Sequence, residues 1–158
     1  MTALLNYAKA SPESYQAMLK FSQAAHNVAI EPALFELVQV RASQINHCAF
    51  CIDMHTIDAR AAGETEQRLY ALSAWEEAPF FTPRERAALA WTEAVTRLSQ
   101  HPVPEELFNA TREHFSEKEI VDLTLAIIAI NGWNRLAGVF RTEAGHYQPR
   151  AHAKQKSA

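Results

Sequence analysis

Apolar residues recur three and four positions apart along most of this chain, which is the spacing of one face of an α-helix. In the segment 32–45, for example, Leu34, Leu37, Val38 and Ile45 share one side. No stretch of useful length alternates apolar and polar residues as a half-buried β-strand does. The pattern therefore predicts an all-α protein, a single compact helical domain of about six to eight helices.

Helix starts are marked by a capping residue, by proline at the first helical position, or by both. Two of them are capping boxes, in which Ser or Thr is followed three residues later by Glu. Gly63 offers a helix stop, because glycine readily takes the backbone conformation that ends a helix. The predicted starts are Ser11–Pro12, Glu31–Pro32, Thr65, the capping boxes Thr82–Glu85 and Ser116–Glu119, and a short helix after Pro104 that runs through Phe108 to Phe115.

The helix predicted from Glu117 to near Phe140 is apolar on nearly all sides. A helix of this kind is buried in the centre of a protein or in an interface. A small helical domain has limited room to enclose it, so we expect another subunit to cover part of it, together with the face around Trp91. No apolar run is expected to reach the length of a membrane span, since polar residues interrupt this one.

Length and charge set wider limits. The chain has 158 residues, of which 48% are hydrophobic and 21% charged, and its net charge is -3. We predict one domain over residues 1–145 and a partly disordered tail over 146–158. The charge gives no reason to expect nucleic acid or a membrane as a partner. The N-terminus has no signal pattern, so a cytoplasmic location is the expectation.

Both cysteines lie in one short motif, Cys48-x-x-Cys51-x-x-x-His55. On a helix, residues three and four apart share a face, so this pattern groups two thiols with an imidazole. Such a group suits thiol redox chemistry, in which a base helps to form a thiolate and a second thiol traps the oxidised first one. Two alternatives remain open: a pair of buried inert thiols, and a zinc site with these three ligands.

Glu36 is the next candidate. If the helices on either side of Asn46–His47 form an antiparallel hairpin, Glu36 lies about 15 Å before the corner and His55 about 12 Å after it, at 1.5 Å per residue. The two side chains then stand at similar heights and can face each other. A carboxylate in this position orients the imidazole as a base. The alternative is a surface glutamate on an amphipathic helix.

Glu36 and the Cys48–His55 motif together resemble the core motif of AhpD-like alkylhydroperoxidases, in the carboxymuconolactone decarboxylase superfamily. The segments 36–46 and 131–135 are also similar to that family. The resemblance implies an all-helical protomer in a trimer or hexamer that reduces hydroperoxides without haem, flavin or metal. It also implies that Cys51 is the peroxidatic thiol and Cys48 the resolving thiol. His55 and Glu36 are then the proton relay, and a dithiol, lipoyl-bearing or thioredoxin-like donor restores the thiols.

Phe50 departs from this family pattern, because well-known members carry a histidine between the two cysteines. Phenylalanine cannot relay a proton. His47 is a poor substitute, since on a helix it points about 100° away from Cys48. The alternatives to a peroxidase are a redox-sensing or metal-binding module without turnover, and a lyase of the carboxymuconolactone decarboxylase type.

General physics and the family likeness favour different thiols as the attacker. The dipole at a helix N-terminus favours a thiolate at Cys48, whereas a neighbouring base favours Cys51. A positioned base has the larger effect, so we expect Cys51 to attack.

The sequence leaves open whether Asn131, Asn134 and Arg135 support the site or an interface. The remaining histidines are predicted to be surface residues, and the tryptophans core or subunit contacts: His26, His101, His114, His146 and His152, and Trp75, Trp91 and Trp133.

Overall fold

The regular structure in the computed structural model, which describes residues 2–27 and 29–149, is helical. No strand occurs among these residues, so the predicted all-α class is confirmed. The helices are α1 Tyr7–Ala10, α2 Pro12–His26, α3 Pro32–Ile45, α4 Ala49–Ala61, α5 Glu66–Ala71, a 3₁₀ segment Leu72–Ala74, α6 Pro83–Thr96, α7 Glu105–Arg112 and α8 Glu117–Phe140.

The predicted helix starts are confirmed. Proline occupies the first turn of α2, α3 and α6. The capping boxes of α6 and α8 are complete, with Thr82 and Ser116 each accepting the N–H of the glutamate that bonds back to it. Two details differ from the prediction. Helix α1 was not predicted, because a four-residue helix has too few positions to show a period. Helix α7 ends at Arg112 rather than at Phe115.

The long helix α8 is the centre of the fold, since it packs against α2, α3, α4, α6 and α7. By length and composition it is also able to cross a membrane, which corrects the expectation that no apolar run is long enough. A core helix passes the same test, and the contacts of α8 are those of a core helix. Val121, Ile128 and Val139 remain exposed on it, whereas Trp91 is buried by its own chain and donates to Thr124.

α3 and α4 form an antiparallel hairpin that carries the cysteine motif. Asn46 ends α3, and Cys48 is the N-cap of α4. His47 lies between them with φ 54°, in the left-handed region that lets the chain reverse within a few residues. The predicted corner at Asn46–His47 is therefore confirmed. Gly63, with φ 101°, follows the end of α4.

After α8 the chain turns and runs back along α4. Arg141 ends α8 in the left-handed conformation, with φ 55°. The backbone N–H of Gly145 then donates to Asp53 Oδ2 at 2.8 Å, and the Tyr147 hydroxyl lies 2.9 Å from the Asp58 carboxylate. Most of the predicted tail, residues 150–158, lies outside the described residues.

Candidate active site

Cys48 and Cys51 are joined by a disulfide, with their Cα atoms 5.4 Å apart. Cys48 precedes the helix rather than lying on it, and its Sγ accepts the backbone N–H of Cys51 at 3.3 Å. The two residues are only 4% and 1% exposed, respectively. They belong to a small apolar cluster with residues of α3 and α8, namely Ala42, Ile130 and Ala137, and with the partly buried Phe50 and Trp133. The sulfurs therefore lie between three helices.

Glu36 and His55 face each other across the hairpin, as the helix rise predicted. Glu36 Oε2 lies 2.8 Å from His55 Nδ1, and the two side chains are 14% and 12% exposed. Glu36 is therefore not a freely solvated surface residue. Because its carboxylate can only accept a hydrogen bond, it fixes a proton on Nδ1 and leaves Nε2 for other partners. His55 follows Cys51 by one helical turn.

An amide network from α8 holds the hairpin corner in place. Asn46 Nδ2 lies 2.9 Å from both Asn131 Oδ1 and Asn134 Oδ1. Asn134 Nδ2 in turn donates to Ser43 Oγ at 3.0 Å, and the Ser43 carbonyl accepts the N–H of Cys48 at 3.0 Å. The structure thus assigns Asn131 and Asn134 to the support of the cysteine motif, a question that the sequence left open.

A buried ion pair fixes the other side of α3. Arg41 Nη2 lies 2.7 Å from Glu93 Oε1 of α6, which also accepts the indole N–H of Trp75 at 2.7 Å. Burial by itself raises the pKa of Glu93, but the hydrogen bonds from Trp75 and Arg41 outweigh it and leave this pKa lower than usual. Glu93 therefore remains charged at neutral pH. No local pattern predicts this pair, because its members are 52 residues apart.

A cavity of about 610 Å³ opens beside Cys48, and we call it the Cys48 cavity. Neither Cys51 nor His55 lines it. The C-terminal return of the chain forms one wall and the hairpin corner the other. Its lining comprises Thr2, His47, Cys48, Ala49, Phe50, Ala137, Gly138, Arg141, Thr142, Glu143, Ala144 and His146.

Two histidines line this cavity, and one of them departs from its prediction. His47 was expected to point away from Cys48 as part of the helix. It lies outside the helix instead, and its left-handed backbone places it on the same cavity wall as Cys48. His146 is exposed, as predicted, and also lines the cavity. No local signal could have found it, because the fold brings it back from the far end of the chain.

The other predicted surface and core residues are placed as follows. His26 and His101 are exposed and His114 is half-buried, while His152 lies outside the described residues. Trp75 is buried in the core, as is Trp91, and Trp133 is half-buried against Tyr15. Among the residues that the structure describes, no group of three His, Cys, Asp or Glu side chains could hold a metal ion.

Comparison with known proteins places the chain in a family. The sequence profile of the carboxymuconolactone decarboxylase family matches residues 12–94. The uncharacterized protein YdfG of Bacillus subtilis is 44% identical over 137 residues, which cover 87% of this chain and 93% of YdfG.

Two solved structures share the fold. One is a protein of unknown function from Agrobacterium tumefaciens, grouped with the antioxidant defence protein AhpD but without an established activity. It superposes with a TM-score of 0.90 at 42% sequence identity, and the match covers 92% of this chain and 100% of that protein. An uncharacterized peroxidase-related protein with an AhpD core, from Ralstonia eutropha, gives 0.79 at 22% identity, over 88% and 74%. The chain therefore belongs to the carboxymuconolactone decarboxylase family and is AhpD-like.

Proposed function

We propose that this protein is a thiol-dependent peroxidase that reduces hydroperoxides through the Cys48–Cys51 dithiol and disulfide cycle. The observation that carries the proposal is the 2.8 Å contact between Glu36 and His55, one helical turn from Cys51. An oriented imidazole beside a redox-active cysteine pair is what acid–base catalysis at a thiol requires. The family membership supports thiol redox chemistry on this fold without naming its substrate.

The first step places the attack at Cys51. The Cys51 thiolate attacks the distal peroxide oxygen, the O–O bond breaks, and the sulfur becomes a sulfenic acid. The departing alkoxide takes a proton from the His55 imidazolium, whose other nitrogen is held by Glu36. One hydroperoxide is thereby reduced to an alcohol, and one thiol is oxidised.

The second step closes the disulfide. The Cys48 thiolate attacks the sulfenic sulfur of Cys51 and displaces hydroxide, which leaves as water after protonation. Cys48 is suited to this role, since its Sγ already accepts the N–H of Cys51 at the start of α4, and such a bond favours a thiolate. A dithiol donor then reopens the bond, so that one donor is oxidised for each peroxide reduced.

Phe50 takes no part in proton transfer in this scheme. Its ring packs in the apolar cluster around the cysteines and forms part of the cavity wall. Proton transfer therefore rests on His55 and Glu36 alone. We propose that the rate is accordingly sensitive to both residues.

Peroxide consumption with a small dithiol as donor tests the proposal. We expect turnover by the wild type and a loss of at least about 100-fold in Cys51→Ser and in Cys48→Ser, because a positioned thiol and base contribute on this scale. Full turnover in both variants contradicts the thiol mechanism. Oxidation to the disulfide without repeated cycles indicates a sensing module. Lyase activity that is measured without peroxide and survives removal of both thiols indicates a lyase.

We also propose that the protein is a homo-oligomer. Val121, Ile128 and Val139 are exposed on α8, and Leu98, two residues after the end of α6, is exposed as well. Exposed apolar side chains along a central helix are typical of subunit contacts. Light scattering at micromolar concentration is expected to give a mass above the 17.7 kDa of one chain, and a clean monomer contradicts the proposal.

A further inference from the structure

The Cys48 cavity belongs to the oxidised form of the protein, because the structure contains the Cys48–Cys51 disulfide. In a thiol cycle, the molecule that meets the oxidised form is the reductant. Cys48 is 4% exposed and lines the cavity, whereas Cys51 is 1% exposed and does not line it. This arrangement gives a reductant a path to one sulfur only.

Two residues of the cavity wall have an unusual backbone. Among the described residues, His47 and Arg141 are the residues other than glycine with positive φ, at 54° and 55°. This conformation is unfavourable for residues with a Cβ and is usually filled by glycine, above all at the end of a helix. Backbone outliers of this kind concentrate at functional sites. Both of them here are basic, and both line the same cavity.

The polar residues of the cavity favour an anion. Arg141 is exposed and forms no salt bridge with any residue that the structure describes, so its guanidinium is free to bind a ligand. His47 and His146 add donors to the wall, and Glu143 is its one acid. A guanidinium presents parallel N–H groups that match a carboxylate.

We propose that the Cys48 cavity selects a reductant thiol that carries a carboxylate, with Arg141 and His47 as its specificity-determining residues. The proposal rests on the thiol chemistry of the proposed function but not on the identity of the oxidant. The donor thiolate attacks Cys48 Sγ, a new S–S bond forms to the donor, and the Cys48–Cys51 bond breaks. The electron pair leaves on Cys51, which departs as a thiolate. A second donor thiol then releases Cys48 and leaves the donor as a disulfide.

Attack on Cys51 is the competing route, and one effect favours it. The displaced Cys48 thiolate is stabilised by the N–H of Cys51, and a better leaving thiolate departs faster. Access opposes this route, because Cys51 has no exposed surface in the cavity. An attacking thiolate must approach in line with the S–S bond, so we assign the attack to Cys48.

The test measures how fast three monothiols open the disulfide of the oxidised protein, without any peroxide. The thiols are 3-mercaptopropionate, 2-mercaptoethanol and cysteamine, whose groups are anionic, neutral and cationic, respectively. Rates are expressed per thiolate, and acid-quenched samples are analysed by mass spectrometry. We expect the anionic thiol to react about three- to fivefold faster than the neutral one, the range of an exposed ion pair, and cysteamine to be slowest.

Substitutions in the cavity wall show which residues cause the preference for the anionic thiol. Arg141→Gln is expected to abolish the preference for 3-mercaptopropionate, Arg141→Lys to retain most of it, and His47→Gln to reduce it. Arg112→Gln is the matched control, because it removes an exposed arginine of α7 that does not line the cavity. If Arg141→Gln fails to fold, Arg141→Gly replaces it, since glycine accepts the left-handed backbone of this position.

The proposal is overturned by equal rates for the three thiols with the wild type, by an unchanged preference in Arg141→Gln, or by an equal loss in Arg112→Gln. A mixed disulfide found at Cys51 instead of Cys48 also overturns it. Because no peroxide is present, the outcome is independent of peroxidase activity. A protein without peroxide turnover can still show the preference, and an active peroxidase can lack it.

Discussion

The two sulfurs of one disulfide lie in different surroundings. Cys48 caps a helix, accepts an N–H and borders an open cavity with basic residues in its wall. Cys51 is the third residue of α4, is buried, and is followed after one turn by an imidazole that contacts a carboxylate. The Cys48 side therefore offers access and the Cys51 side offers a base.

In the proposed cycle, this difference separates two reactions of one dithiol. Base catalysis is needed where a peroxide bond breaks, whereas thiol exchange needs mainly a reachable sulfur. Placing the base at the buried sulfur and the opening at its neighbour keeps each reaction at its own atom.

Removal of the base should affect peroxide chemistry and leave exchange nearly unchanged. In a Cys48→Ser background, His55→Ala is expected to slow sulfenic acid formation at Cys51 by about 10²–10⁴, the usual contribution of a positioned base. Glu36→Gln should slow it less, because it still bonds the ring. Stopped-flow peroxide kinetics measure both rates. Glu105→Gln, an exposed residue of α7, is the control, and an equal effect there means that the slowing is not specific.

The amide network at the hairpin corner should stabilise the Cys48 and Cys51 sides of the site together. Asn134→Ala removes a buried amide that bonds Asn46 and Ser43, so it is expected to lower the free energy of unfolding by about 1–3 kcal/mol. Chemical denaturation measures this change. Asn109→Ala, at an exposed position of α7, should change it by less than about 0.5 kcal/mol. No loss at Asn134 contradicts the supporting role.

Glycine at the two left-handed positions should raise the free energy of unfolding, while it removes a basic side chain from the wall of the Cys48 cavity. His47→Gly and Arg141→Gly each relieve a left-handed backbone cost of about 1–2 kcal/mol. They also add about 0.4–1 kcal/mol of entropy to the unfolded chain. A net gain of about 0.5–1 kcal/mol per variant is expected from thermal or chemical unfolding. A net loss shows that the basic side chains contribute to folding and are not kept for the ligand.

The two sides also differ in how far the sequence predicts them. The Cys51 side follows from local rules, since caps and prolines fix α3 and α4, and a constant helix rise then brings Glu36 opposite His55. The Cys48 side depends on tertiary structure. Arg141 and His146 reach the cavity only because the chain returns along α4, and nothing near His47 signals a left-handed backbone.

The amide network that holds the cysteine motif cannot be predicted from the sequence, where its members from α8 are only polar residues in an apolar helix. Asn131 and Asn134 interrupt α8 on the side that meets the hairpin corner. A buried amide needs a partner, but the identity of that partner requires knowledge of how two helices pack. Similarly, Arg41 and Glu93 belong to different helices, and no spacing rule connects them.

Sulfenic acid trapping tests the division between the two sulfurs most directly. Cys48→Ser and Cys51→Ser are each mixed with limiting hydroperoxide and a dimedone-type reagent, and the labelled residue and its rate of labelling are determined by mass spectrometry. We expect rapid label on Cys51 in Cys48→Ser, followed by over-oxidation when the reagent is omitted, and little label on Cys48 in Cys51→Ser. Label on Cys48 that forms as fast as label on Cys51 contradicts the assignment of Cys51 as the attacking thiol and shows that the helix terminus, not the Glu36–His55 pair, determines which thiol attacks.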